Sequence, residues 1–185
     1  GVAFTDNPGA IEIWRNAGAD IEGERVRIPR GLARKLCKTA PKKIIQHARN
    51  SERNVEIGGN TLVMAPVYGP PFVRTASGGR RYATIEDFQK FVKLGYMSKW
   101  LHHSGGTLCE PTDVPVNKRH LDMLYSHMSL SDKPFMGSVT DPSRAEDSVK
   151  MCDILFGGIK EKTVLTSLIN INSPLTFDAT MMGAL

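Results

Sequence analysis

The strongest constraint in this chain is a rhythm. Short apolar runs that read as strands begin near residues 61, 100, 134 and 163, and each after the first is preceded by a helix-patterned stretch. Parallel strands need a crossover of this kind, because a tight turn can only join antiparallel ones. The repeat of roughly 30 to 40 residues matches a (β/α)8 barrel, whose ~250 residues divide among eight units. The expected fold is therefore α/β: a TIM barrel, about half of it present over residues 42–185, behind a small helix–strand–helix extension over residues 1–41. A doubly wound sheet is the alternative. It is disfavoured because no Gly-x-Gly-x-x-Gly turn marks a dinucleotide fold.

Capping residues place the elements more closely. Asp6-Asn7-Pro8 opens a helix that carries Ile11, Trp14 and Ala17 at helical spacing and closes at Gly18. Alternation over Glu24 to Ile28 predicts a half-exposed strand, and Pro29 a second helix with Leu32 and Leu36 on one face. Lys43–Ala48, Asn54–Ile57 and Thr61–Ala65 read as strands, with Gly58-Gly59-Asn60 as a hairpin turn between the last two. Pro66 to Phe72 is too rich in Pro and Gly for helix or central strand and reads as a rigid loop. Thr84-Ile85-Glu86-Asp87 resembles a capping box. Further helices are expected from Pro115 to Leu130 and from Asp141-Pro142 onward, the latter turning Val149, Cys152 and Leu155 inward. Trp100 to Gly106 reads as a buried strand entering a polar loop, and Thr163 to Ile171 as a strand covered on both faces.

Composition bounds the function. No apolar run approaches the ~20 residues that span a bilayer, so no membrane role is expected. The net charge of +5 is mild and collects in Arg30, Arg34, Lys35, Lys38, Lys42 and Lys43. A solvated face or a docking patch for an acidic partner explains it; nucleic acid does not, since no aromatics interleave with these charges. Cys37, Cys109 and Cys152 show no disulfide or Cys-x-x-Cys spacing, which suits the cytoplasm. The chain starts at Gly1 and stops at Leu185 within a helix-like stretch, so a fragment of a longer protein is expected.

In a parallel barrel the chemistry sits on the loops after the strands. That rule selects Tyr68, Gly69 and Phe72; His102, His103, Ser104 and Gly105; Met136, Gly137 and Ser138; and Asn170, Asn172 and Ser173. Adjacent residues on a strand face opposite ways, so at most one of His102 and His103 reaches the barrel mouth, and no metal site is expected. Cys109, without a cationic neighbour in sequence, reads as inert. Asn170 and Asn172 share a parity and could both face inward. Ser77-Gly78-Gly79 and Ser104-Gly105-Gly106 could offer amides to a phosphate, but tight turns explain both. Aromatic strand residues such as Tyr68 and Phe72 could hold an ammonium by cation–π attraction; core packing is the plainer explanation.

Several motifs resemble one family. Asn54-Val55-Glu56-Ile57-Gly58-Gly59, Ala65-Pro66-Val67-Tyr68-Gly69-Pro70-Pro71-Phe72-Val73-Arg74 and Gly79-Arg80-Arg81 are similar to the trimethylamine methyltransferase family. So are His120 to Tyr125, Asp132 to Ser138 and Ile169 to Leu175, in order along nearly the whole chain. The resemblance implies a TIM-barrel enzyme of one-carbon metabolism that moves a methyl group from an amine to the Co(I) of a separate corrinoid protein. Trimethylamine, glycine betaine or a similar amine would be the substrate, and a homo-oligomer is expected at full length. Some members carry pyrrolysine, at a position that would lie beyond Leu185. Tyr68 and Phe72 are assigned here to the ammonium, and His102, His103, Asn170 and Asn172 to orienting polar groups, all inferred from strand ends; no catalytic residue is assigned. A non-catalytic amine-binding or corrinoid-protein-docking module, or a metal-dependent barrel hydrolase or aldolase, are the competing expectations.

Overall fold

Strand β1 (Val2–Phe4) runs into helix α1 (Pro8–Asn16), where the Asn7 side chain accepts from the Ala10 amide and Pro8 takes a first-turn position. The computed structural model describes residues 1–171 and 173–185, so the expectation for Asn172 lies outside the described residues. Gly18 ends α1 with φ of 93°, and β2 (Asp20–Glu22) and β3 (Arg25–Arg27) follow as an antiparallel pair. Helix α2 spans Leu32–Cys37, starting three residues later than Pro29 implies, because Gly31 at φ 91° turns the chain into it.

Strand β4 (Lys43–Gln46) pairs antiparallel with β5 (Val55–Gly58). This corrects the expected hairpin. Gly58 and Gly59 do adopt positive φ, but Thr61–Ala65 does not fold back on β5, since β4 offers β5 a full register with Ile44 opposite Ile57. Strands β6 (Phe72–Arg74) and β7 (Arg80–Tyr82) form a hairpin that begins at Phe72, the last residue of the stretch expected as loop. Helix α3 (Ile85–Met97) opens with a complete capping box between Thr84 and Asp87. Helix α4 is Val116–Leu130, β8 Phe135–Met136, α5 Pro142–Phe156, β9 Leu165–Thr166, β10 Thr176–Phe177 and α6 Ala179–Gly183.

These elements divide into two units: Gly1–Lys42 with Val139–Ser143 and Leu168–Leu185, and Lys43–Ser138 with Arg144–Ser167. The first holds a sheet in the order β10-β1-β3-β2, whose core of Phe4, Ile11, Ala19 and Val26 is covered by Trp14 and Phe177. In the second, one core gathers Val73, Ala83, Phe88, Val92, Leu108 and Cys109, and another Leu124, Met128, Phe135, Cys152 and Val164.

Within the second unit, β8 and β9 pair in parallel. Backbone bonds continue that pairing across segments without regular strand geometry. The His102 and His103 amides donate to the Met64 carbonyl at 2.9 and 3.2 Å, and the Ser104 amide to the Pro134 carbonyl at 2.8 Å. The Met136 amide reaches the Gly105 carbonyl, and the Gly137 amide the Thr166 carbonyl, both at 2.9 Å. The four strand-like segments therefore neighbour one another in chain order. Two local expectations are corrected. Trp100 is 72% exposed, so burial in its segment begins only at His103. On α5, Val149 is exposed and Ser148 takes the inward position, because its hydroxyl accepts from the Ser138 amide and donates to the Arg144 carbonyl.

Candidate functional site at the strand ends

Four buried polar side chains of the second unit, Gln46, His103, Ser104 and His127, converge where the 102–106 segment meets its neighbours. His103 is buried, and its Nδ1 accepts from the Gly105 amide at 2.9 Å. The proton must then sit on Nε2, which donates to Gln46 Oε1 at 3.2 Å. Gln46, fully buried at the end of β4, donates from its amide nitrogen to the carbonyls of Phe135 and Val164, and also accepts from the Thr166 hydroxyl. One amide thus ties together three strand segments.

A second buried chain lies beside it. His127 Nε2 donates to the Gly106 carbonyl at 2.8 Å, which leaves Nδ1 to accept from the Ser104 hydroxyl at 2.7 Å. The ring is packed edge-on by Phe88 and stacked against Phe135. Burial pushes both histidines down, each to about 4, and for His103 the neighbouring His127 adds to the effect. Both are neutral near pH 7, with each ring nitrogen occupied. Ser104 and His127 resemble a nucleophile–base pair, but the hydroxyl is buried, and no carboxylate stands behind the ring, whose far nitrogen holds a backbone carbonyl. The pair fixes the loop.

What it fixes is a surface of small and aromatic groups. Gly105 needs its φ of 88°, and a Cβ there would lie 2.8 Å from Leu108. A Cβ on Gly106 would meet the Tyr68 ring at 2.9 Å and Met136 Cβ at 3.0 Å, so three strand ends touch at this glycine. Tyr68 is 47% exposed, and the following Gly69 amide donates to the Thr107 carbonyl.

The remaining sequence candidates are dispersed. His102 is exposed, and its Nδ1 accepts from the Met64 amide, so the two histidines do face opposite ways. Phe72 belongs to the β6–β7 hairpin, its ring 4.7 Å from Tyr82 and capped by Arg80 at 3.6 Å. Phe72 also lines an apolar cleft of about 420 Å³ with Phe91, Leu94 and Leu101. Asn170 is exposed and outside any strand, since the ladder with β8 stops at Thr166; it belongs to the first unit. Burial raises the thiols of Cys109 to about 11 and Cys152 to about 12, so neither is a thiolate near neutral pH. Among the described residues no group of three or more His, Cys, Asp or Glu converges on one point.

Gln46 and His127 are the two residues that strand-end reasoning missed. His127 shares a helical stripe with Leu124 and His120, and Gln46 shares a strand face with Ile44. A polar side chain on an otherwise inward face was the available signal for both.

The model of the family described as trimethylamine methyltransferase (MTTB) matches residues 1–185. The chain belongs to this family. It is 49% identical over 188 aligned positions, covering 100% of the chain, to a relative named glycine betaine methyltransferase from Desulfitobacterium hafniense (strain Y51). It is 28% identical over 145 positions, 76% of the chain, to one named proline betaine:corrinoid methyltransferase from Eubacterium limosum. The matches span 39% and 29% of these family relatives' lengths. No helix among the described residues is long and apolar enough to cross a membrane.

Proposed function

We propose that the full-length protein demethylates a quaternary amine of the betaine class and passes the methyl group to the cobalt of a corrinoid protein, with this chain forming the leading half of its TIM barrel. The observation that carries the reaction is 49% identity across the whole chain to a relative named glycine betaine methyltransferase. The barrel is supported by the parallel β8–β9 pair and by backbone bonds linking Met64, His102–Gly105, Pro134–Gly137 and Thr166 in chain order. Three free cysteines, two of them buried thiols, suit a reducing cytoplasm.

The site chemistry agrees with that reaction. One C–N bond of the ammonium breaks, its electron pair stays on nitrogen, and glycine betaine becomes dimethylglycine. The leaving amine is neutral and needs no acid. A site whose histidines are neutral, buried and already hydrogen-bonded holds its loop in place and has little to offer in proton transfer. The reduced corrinoid on the partner supplies the nucleophile; this chain's residues hold the methyl group in line and exclude water. Tyr68, half-exposed and next to Gly106, is the aromatic group we assign to the ammonium.

The test mixes full-length protein, a reduced corrinoid protein and a panel of methylamines and betaines, and follows corrinoid absorbance. Methylation with betaines is expected, and Tyr68→Ala should raise the KM for the betaine about tenfold, in line with a lost cation–π contact of ~1–2 kcal/mol. No spectral change with any betaine would overturn the proposal.

A further inference from the structure

The β6–β7 hairpin has two faces of different character. Inward, Val73 is buried in a core, and its cross-strand partner Arg81 is held bidentate by Asp87 on α3. Outward, the register places Phe72 opposite Tyr82 and Arg74 opposite Arg80. Directly paired residues share a sheet face, so this face carries Tyr82, two arginines and a half-buried Phe72 whose ring lies under the Arg80 guanidinium. Tyr82 is 60% exposed, and both arginines are exposed. Among the described residues neither Arg74 nor Arg80 has a carboxylate in ion-pair range. Nor can one come from the local chain, because no Asp or Glu lies between Glu56 and Glu86.

Like charges directly opposite on a two-stranded ribbon are destabilising, and an acidic neighbour would offset the repulsion. Here none is supplied. Tyr and Arg are also among the residue types that dominate binding energy at protein interfaces, and Phe is enriched there. Resting on the reading under Proposed function, we infer that the outer face of the β6–β7 hairpin docks an acidic surface of the corrinoid protein. The location fits: the hairpin begins four residues after Tyr68, on the loop that follows the first strand-like segment. Arg81–Asp87 then has a defined task, to hold the ribbon against α3 while its other face is engaged.

The experiment titrates full-length protein with the corrinoid protein calorimetrically, which requires no turnover, and compares Arg74→Glu/Arg80→Glu with wild type. The reversal should weaken binding about tenfold or more at ~50 mM salt, and the difference should narrow towards ~0.5 M. The KM for glycine betaine at saturating corrinoid protein should not change. Arg74→Gln/Arg80→Gln, which removes charge without reversing it, should give a smaller loss and guards against misfolding. Unchanged affinity in both variants would overturn the inference. So would a loss produced instead by Arg34→Glu/Lys35→Glu on α2, or a rise in the amine KM with affinity intact. If wild type binds in this Arg-dependent way but methylates nothing, the reaction is refuted and the docking surface stands.

Discussion

At the scale of single residues, burial and hydrogen bonding decide what the polar groups can do. Asp87 accepts from Arg81, from the Thr84 amide and from the Thr84 hydroxyl, and the Arg81 guanidinium holds its carboxyl far below the ordinary carboxylate range. A carboxyl depressed on folding stabilises the protein above its unfolded value near 4, and that contribution is lost as pH falls towards the folded value. Asp87→Asn should cost about 1–2 kcal/mol at pH 7, with the difference from wild type shrinking in acid; chemical denaturation at pH 7 and pH 3 measures both. The two buried histidines act in the same direction over a higher window. Their folded values, near 4, lie below the ordinary 6.5, so the unfolded chain binds more protons between those limits. Stability should be full above about pH 6.5 and fall towards pH 4, by about 1.4 kcal/mol per pH unit for each histidine. Denaturation of His127→Gln across pH 4–7 should show a shallower fall. An unchanged slope would mean that His127 is not neutral in the fold.

At the scale of elements, what the sequence made legible was whatever local chemistry decides. Asn7-Pro8, Thr84…Asp87 and Pro142 mark helix starts because capping uses neighbours three residues apart. The β6–β7 hairpin was hidden behind Pro70-Pro71, and the β4–β5 pairing behind a Gly58-Gly59 turn that leads elsewhere. Strand partners are chosen by long-range packing, which local pattern does not contain. The same limit applies to the site. Tyr68 and His103 were readable as strand-end residues, but Gln46 reaches Phe135, 89 residues on, and nothing near it in sequence says so. Lys133 is a further case: buried beside Tyr96, it donates to the Gly95 and Ser98 carbonyls and closes the carboxyl end of α3. Lys133→Met would leave those carbonyls unpaired and should destabilise the fold by about 2 kcal/mol, seen as a lower denaturation midpoint with unchanged slope. Gly105→Ala should cost at least as much, since it combines positive φ with a 2.8 Å approach to Leu108.

At the scale of the whole molecule, the family match covers every residue, while the chain spans about two fifths of its glycine betaine methyltransferase relative. The proposed reaction and partner therefore belong to the full-length protein, of which this chain carries the buried histidine network and the basic aromatic hairpin. Methyl transfer from a betaine to cobalt is read from product stoichiometry in a single turnover. Full-length protein, excess reduced corrinoid protein and limiting methyl-labelled glycine betaine are mixed, and dimethylglycine and methylated corrinoid are quantified together. Equal amounts of the two are expected, with one third of the methyl label on the corrinoid and two thirds retained in dimethylglycine. Dimethylglycine without corrinoid methylation, or neither product, would contradict the proposed transfer.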